Sequence, residues 1–304
     1  MKRIVVIAMA LLGTAALAQS QATPPPSDGR TGNVNTTAAQ IENSPSYKDL
    51  YCAGFITKEA ITNKNQIAGG EYSPEATLYV RGGTVFINGG GLQQGERYSV
   101  VRELKDPDRF EPYKGAHSIL DATGQPYAEI GQIRVVSLRG EVAVAQVEYS
   151  CQNMTIGDIV VPFREHPPVN YRKTQLERFP PDPGHLTARI VMGREFDQDV
   201  GRGQIVYINA GADKGIKLGD YFRAVRSYDP KKINEIDAVS NMAPIGEDTQ
   251  KHPGQMTAES AAKLPMRAVG EMIVINVTPT ASTALITRSF EDIEIGDYVQ
   301  LEGE

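Results

Sequence analysis

The chain has no tryptophan, only two cysteines and only four histidines in 304 residues. Sugar-binding modules stack exposed aromatic rings on their ligands, so the lack of Trp weakens that reading, although thirteen tyrosines keep it open. The cysteines, Cys52 and Cys151, do not have the CxxC spacing of redox enzymes. His117, His166, His185 and His252 all fall in loop-like or Pro-flanked segments, and no two have the spacing of a zinc site, so surface positions are expected and no metal. Beyond the first residues no apolar run approaches the roughly 20 residues of a membrane-spanning helix. Clustered basic residues are missing too: Lys and Arg are scattered among acids, which excludes the counterion-displacing stripe of a nucleic-acid protein.

What is there begins with an export signal. Lys2 and Arg3 precede the apolar stretch "IVVIAMALLGTAA" and the small-residue pattern "ALAQS", which predicts cleavage after Ala18 and a soluble mature protein in the periplasm, with outer-membrane association as an option. Losing Lys2 and Arg3 takes the 31 basic residues to 29 against 37 acidic ones, a formal charge of about −8. In an oxidising compartment the two cysteines are expected to pair. A Cys52 to Cys151 disulfide would close a loop of about 100 residues, worth up to roughly 4 to 5 kcal/mol in the chain-entropy model.

Residues 19–45, rich in Pro, Ser, Thr, Gly and Asn, read as a disordered linker. A second break, 164–185, carries five prolines and separates a first β domain at 46–163 from a second at 186–304. The two are copies. "GGTVFINGGGLQQGERYSV" matches "GQIVYINAGADKGIKLGDYF", "VVR" ending at Arg102 matches "AVR" ending at Arg226, and Ile130 to Phe163 aligns without gaps to Val269 to Glu302 at a constant offset of 139. The opening strands "YCAGFI" and "LTARIV" are also expected to correspond, loosely.

Each copy is β-rich. Short runs such as "TVFIN", "VAVAQVEYS", "YFRAVR" and "STALITRS" carry β-branched and aromatic residues between Gly, Asn, Asp and Pro, which predicts an all-β protein of two small, tandemly duplicated antiparallel barrels. One helix is expected, "TAESAAKL" at Thr257 to Leu264, inside the 227–268 insert where the second copy departs most from the first. If the copies have separate jobs, the difference is expected there.

The glycine-rich stretches read as construction rather than chemistry. Phosphate loops need a helix N-terminus after the glycines, and here strands follow. Gly95 and Gly219 are expected to turn into the next strand, Leu92 and Ile216 to pin the turn, and the "IGD" turns at Gly157-Asp158 and Gly296-Asp297, like Asp220, to use Asp as an acceptor for backbone N–H groups. "DQDVGRG" at Asp197 to Gly203 has the first Asp spacing of a calcium loop without the later ligands, and reads as a turn. No GxSxG or similar local signature supports an enzyme, and neither catalytic residues nor a cofactor is expected.

The sequence "VYIN", "GADKGIKLGDYFRAVR", a variable loop, "VGEMIVINVTPTASTALITRS" and "IEIGDYVQLE" resembles the C-terminal domain of the flagellar assembly protein T family and related β domains of exported bacterial envelope proteins. The resemblance covers both copies and is clearer in the second; the first has Glu96 where the second has Asp220. It implies a periplasmic or outer-membrane-associated β module that acts by contact, in scaffolding or anchoring, with envelope proteins as partners. Peptidoglycan binding is the alternative.

Overall fold

The computed structural model describes residues 44–108, 110–173, 177–181, 184–229, 235–246, 249–252 and 254–303. The expected leader, residues 1–18, and nearly all of the segment that follows it lie outside the described residues.

Two closed six-stranded antiparallel barrels stand in tandem. The first is built from β2 (Gln66–Gly70), β3 (Thr84–Asn88), β4 (Arg97–Glu103), β5 (Gln125–Arg139), β6 (Val142–Ser150) and β7 (Ile159–Pro162), closed in the order β5-β4-β7-β2-β3-β6 by the β5–β6 pairing. The second uses β8 (Thr187–Gly193), β10 (Ile205–Ile208), β11 (Tyr221–Arg226), β12 (Arg267–Val277), β13 (Ser282–Ser289) and β15 (Tyr298–Leu301), closed as β10-β13-β12-β11-β15-β8. β9 (Asp199–Val200) and β14 (Ile293–Glu294) form a separate two-stranded ribbon.

The duplication holds to the level of register. Val100 pairs with Gly131 and Ala224 with Gly270, and a bulge follows each at the next residue. The β5–β6 and β12–β13 pairs carry two bulges apiece at matching positions, after Gln132 and Glu271 and again after Val135 and Val274. Bulges sharpen the bend that lets so few strands close. Apolar side chains fill both interiors: Ile87, Val100, Ile133 and Val147 in the first, and Val206, Ile208, Phe222 and Val274 in the second, are buried.

One expected correspondence fails. "YCAGFI" supplies β1 (Phe55–Thr57), which lies outside the ring on the edge of β5, and β2, "QIAGG", takes the place that β8 has in the second barrel. β1 is part of the seam. Leu50, Ala53 and Ile56 pack with Leu120 against Val191, Tyr207, Ile273 and Leu285 on the outer face of the second barrel. The contact explains why β10 and the middle of β12 are buried on both faces while β3 alternates.

Hydroxyls of the second barrel complete this seam. Tyr207 donates to the Ala53 carbonyl (2.7 Å), Thr283 to that of Gly54 (3.0 Å) and Thr278 to that of Ile56 (2.6 Å), so the outward carbonyls beside β1 are satisfied by the other barrel. Thr280 likewise donates to the Thr123 carbonyl at the end of α2 (Ala116–Thr123; 2.6 Å). Ahead of α2, Tyr113 lies under the Arg189 guanidinium at 4.0 Å and against Gly296.

Among the described residues there are three further α-helices: α1 (Tyr47–Tyr51), with a Ser46/Asp49 capping box, and α3 (Glu235–Met242) and α4 (Ala258–Ala262) in the 227–268 insert. The expected helix is α4, capped by Thr257.

Candidate functional site at the seam

The expected disulfide is present: Cys52 and Cys151 are bonded, tying the chain that leads into β1 to the end of β6. The turn residues are placed in matching pairs. Gly95 and Gly219 take φ of 89° and 86°, and Gly157 and Gly296 take 92° and 106°. Leu92 and Ile216 are buried beneath their turns. Asp158 accepts the Thr155 N–H (2.8 Å), Asp220 that of Lys217 (2.8 Å) and Asp297 that of Glu294 (2.9 Å).

The structure adds a partner that the sequence reading missed. Arg102 grips Asp158 through two bonds, of 2.7 and 2.9 Å, and Arg226 grips Asp297 with 2.8 and 2.9 Å. The signal was in the duplication, since an Arg and an Asp recur at matching positions of both copies. In each barrel the clamp ties β4 or β11 to the turn entering the last strand of the ring.

With their interiors filled, the barrels leave ligand-sized space outside, where clefts form along the seam. One, of about 470 Å³, is walled by Phe55, Ile61, Val101 and Val161 of the first unit and by Val277 to Pro279 of the second. Glu59, Glu129, Arg164 and His166 bring charge and polarity to this cleft. On the other side of Glu129 lies a second cleft, of about 490 Å³, lined by the disulfide, Leu104, Arg194, Glu195, Phe196 and Tyr207.

Glu129 thus borders both clefts. One of its oxygens accepts the Gly54 N–H at 3.1 Å, fixing the chain that enters β1, and the other lies 3.4 Å from Nε2 of His166. Tyr51 holds His166 in turn: its hydroxyl accepts the His166 N–H at 3.1 Å, and the rings meet edge to face at 4.8 Å. His166 is therefore mostly buried, its side chain 14% exposed, which corrects the expected surface position. The Pro-flanked segment that carries it is pinned against Tyr51, and that contact could not be read from local sequence.

The wall of the second cleft formed by Glu195 and Phe196 is strained. Glu195 and Phe196 adopt φ of 61° and 64°, left-handed values that cost non-glycine residues, and Gln152 of the first unit donates to the Glu195 carboxylate at 3.0 Å. A carboxylate and an imidazole between apolar walls suit a ligand or peptide that presents an apolar face and one or two hydrogen-bonding groups.

The other histidines do not join this site. His117 lies 3.5 Å from Asp106 and 3.7 Å from Glu111, and His252 is exposed. Backbone N–H groups of Gly115 and His117 hold the Glu111 carboxyl below its ordinary value. Among the described residues no group of three or more His, Cys, Asp or Glu is arranged to hold a metal ion, and no helix is long and apolar enough to cross a membrane. Compared with models of known families and with curated proteins, the chain matches none.

Proposed function

We propose that the chain is an exported envelope protein of non-catalytic scaffolding type, whose two flagellar assembly protein T-like barrels act as one rigid body and take a protein partner at the seam. The observation that carries this reading is the seam itself. Four hydroxyls of the second barrel cap carbonyls of the first unit, and a shared apolar cluster seals the join. A contact protein needs fixed spacing between its surfaces, and this join supplies it. The expected export signal and the disulfide support a periplasmic setting for that role.

The test is fractionation followed by capture from crosslinked envelopes. Enrichment in the periplasm with an envelope or motility-apparatus protein attached supports the reading, while cytoplasmic retention or recovery with wall fragments alone overturns it. Wall fragments would favour the second reading, a peptidoglycan-binding module. Tyr47 supports that alternative, because it is half exposed at the end of a ring stack that runs through Tyr51 to Phe163.

A further inference from the structure

A third cleft, of about 400 Å³, lies away from the seam's Glu129, between linker residues Tyr171 to Lys173 and strand β13. In a chain of net charge −6, its walls carry Arg172, Lys173, Arg202 and Arg288 against Asp49 and Glu271. Glu302 binds both Arg172 (2.7 Å) and Arg223 (3.0 Å) beside it, so five cations still face three carboxylates. Arg172 is held in place from several directions. Its guanidinium lies 4.4 Å from the centre of the Tyr221 ring, and its backbone N–H donates to the Tyr221 hydroxyl at 2.9 Å. Burial raises the pKa of Tyr221 and pushes that of Tyr171 up to about 12, so both hydroxyls keep their protons at neutral pH.

The matching place in the first barrel is filled differently. There Glu148 stands where the second copy has Thr287, and it neutralises Arg97 and Arg134, the counterparts of Tyr221 and Ile273. Tyr47 of α1 also donates across this face to Gln132, the counterpart of Glu271. The second copy has thus moved the carboxylate from the Glu148 position to Glu271, where it accepts from the Thr287 hydroxyl at 3.1 Å, and has gathered cations from the linker and from the turn before β10 in place of the two ring arginines.

We propose that this cleft binds a phosphoryl-bearing anion. Guanidinium forks and an ammonium meet phosphate oxygens with charge-assisted bonds, and the tyrosine hydroxyls add neutral donors. The site shares no lining residue with the two Glu129 clefts, while Asp49 of α1 and Tyr221 and Leu285 of the seam's apolar cluster form part of its wall.

The experiment titrates the full chain with sodium pyrophosphate at constant ionic strength by calorimetry, and in parallel with phosphatidylglycerol and phosphatidylcholine vesicles. The variant K173E/R202E reverses two exposed charges of the cleft, and K58E/R139E reverses two exposed charges on the first unit. Pyrophosphate binding that falls about tenfold or more in K173E/R202E, the scale of one lost charge-assisted bond, and is retained in K58E/R139E is the expected result. Binding to phosphatidylglycerol vesicles alone, lost in the same variant, also supports the site and assigns the phosphoryl group to a lipid. No binding of either probe, or equal weakening in both variants, overturns it.

Discussion

The hydroxyl of Tyr207, buried on the wall of the second barrel, donates to the carbonyl of Ala53 in the first unit at 2.7 Å. The bond is possible because Gly54 follows. A Cβ at Gly54 would lie 2.8 Å from that hydroxyl and 2.6 Å from the Tyr127 carbonyl, and φ at Gly54 is 72°. Tyr207→Phe leaves the Ala53 carbonyl buried without this donor, and a loss of about 1–3 kcal/mol in chemical denaturation is expected. Gly54→Ala is expected to cost at least as much, by clash and left-handed strain. Neutral behaviour of both would mean that the seam contributes nothing to stability.

The two Arg–Asp clamps give a test of the duplication. Asp158 and Asp297 are each 9% exposed or less, and each takes a two-pronged Arg. Replacing either with Ala removes the two-pronged pair at a cost of about 1–3 kcal/mol, since Arg226 keeps Glu294 at 2.9 Å and Arg102 keeps the Thr155 hydroxyl at 3.1 Å. Thermal melts should show similar losses for Asp158→Ala and Asp297→Ala. A large loss in one copy only would show that the clamps are not equivalent.

The disulfide spans a sequence separation of 99 and should stabilise the chain by a few kcal/mol, up to about 4–5 in the loop-entropy model. Thiol titration of the unfolded, unreduced protein should find no free thiol, and reductant should lower the denaturation midpoint. A Cys52→Ser/Cys151→Ser variant with an unchanged midpoint would contradict this.

Alkaline pH should loosen the fold through its buried tyrosines. Burial, then the Glu129 carboxylate, raises Tyr207 well above its ordinary value, and burial with Asp49 nearby raises Tyr171 to about 12. An unfolded tyrosine ionises near pH 10. The neutral forms therefore contribute their full stability below about pH 10, and that contribution is lost as pH rises through the folded values. Tyrosinate absorbance should show a late fraction that appears together with unfolding. Uniform titration of all thirteen tyrosines near pH 10 with the fold intact would contradict this.

Strands with strong β composition were legible from sequence: "TVFIN", "VAVAQVEYS", "YFRAVR" and "STALITRS" coincide with β3, β6, β11 and β13. β2 was missed because "QIAGG" has little β propensity and gains its place from its neighbours. α2 was missed for a related reason. Its N-cap is Gly115 with no side-chain cap, and Ala116 and Leu120 stabilise it only by packing against the second barrel. The seam was half visible: "IVYI" in β10 is apolar without alternation, a sign that both faces are covered, but nothing in it says by what. Glu129 and His166 are 37 residues apart in sequence and could be joined only by the fold.

The most direct measurement of the proposed role is site-specific photo-crosslinking in living cells. A photoreactive residue at Thr62, in the wall of the first seam cleft, is compared with one at exposed Arg139 near the far end of β5. The expected result is a discrete adduct with an envelope protein from position 62 and none from position 139. Adducts confined to wall fragments, or the same adducts from both positions, would contradict a protein partner held at the seam.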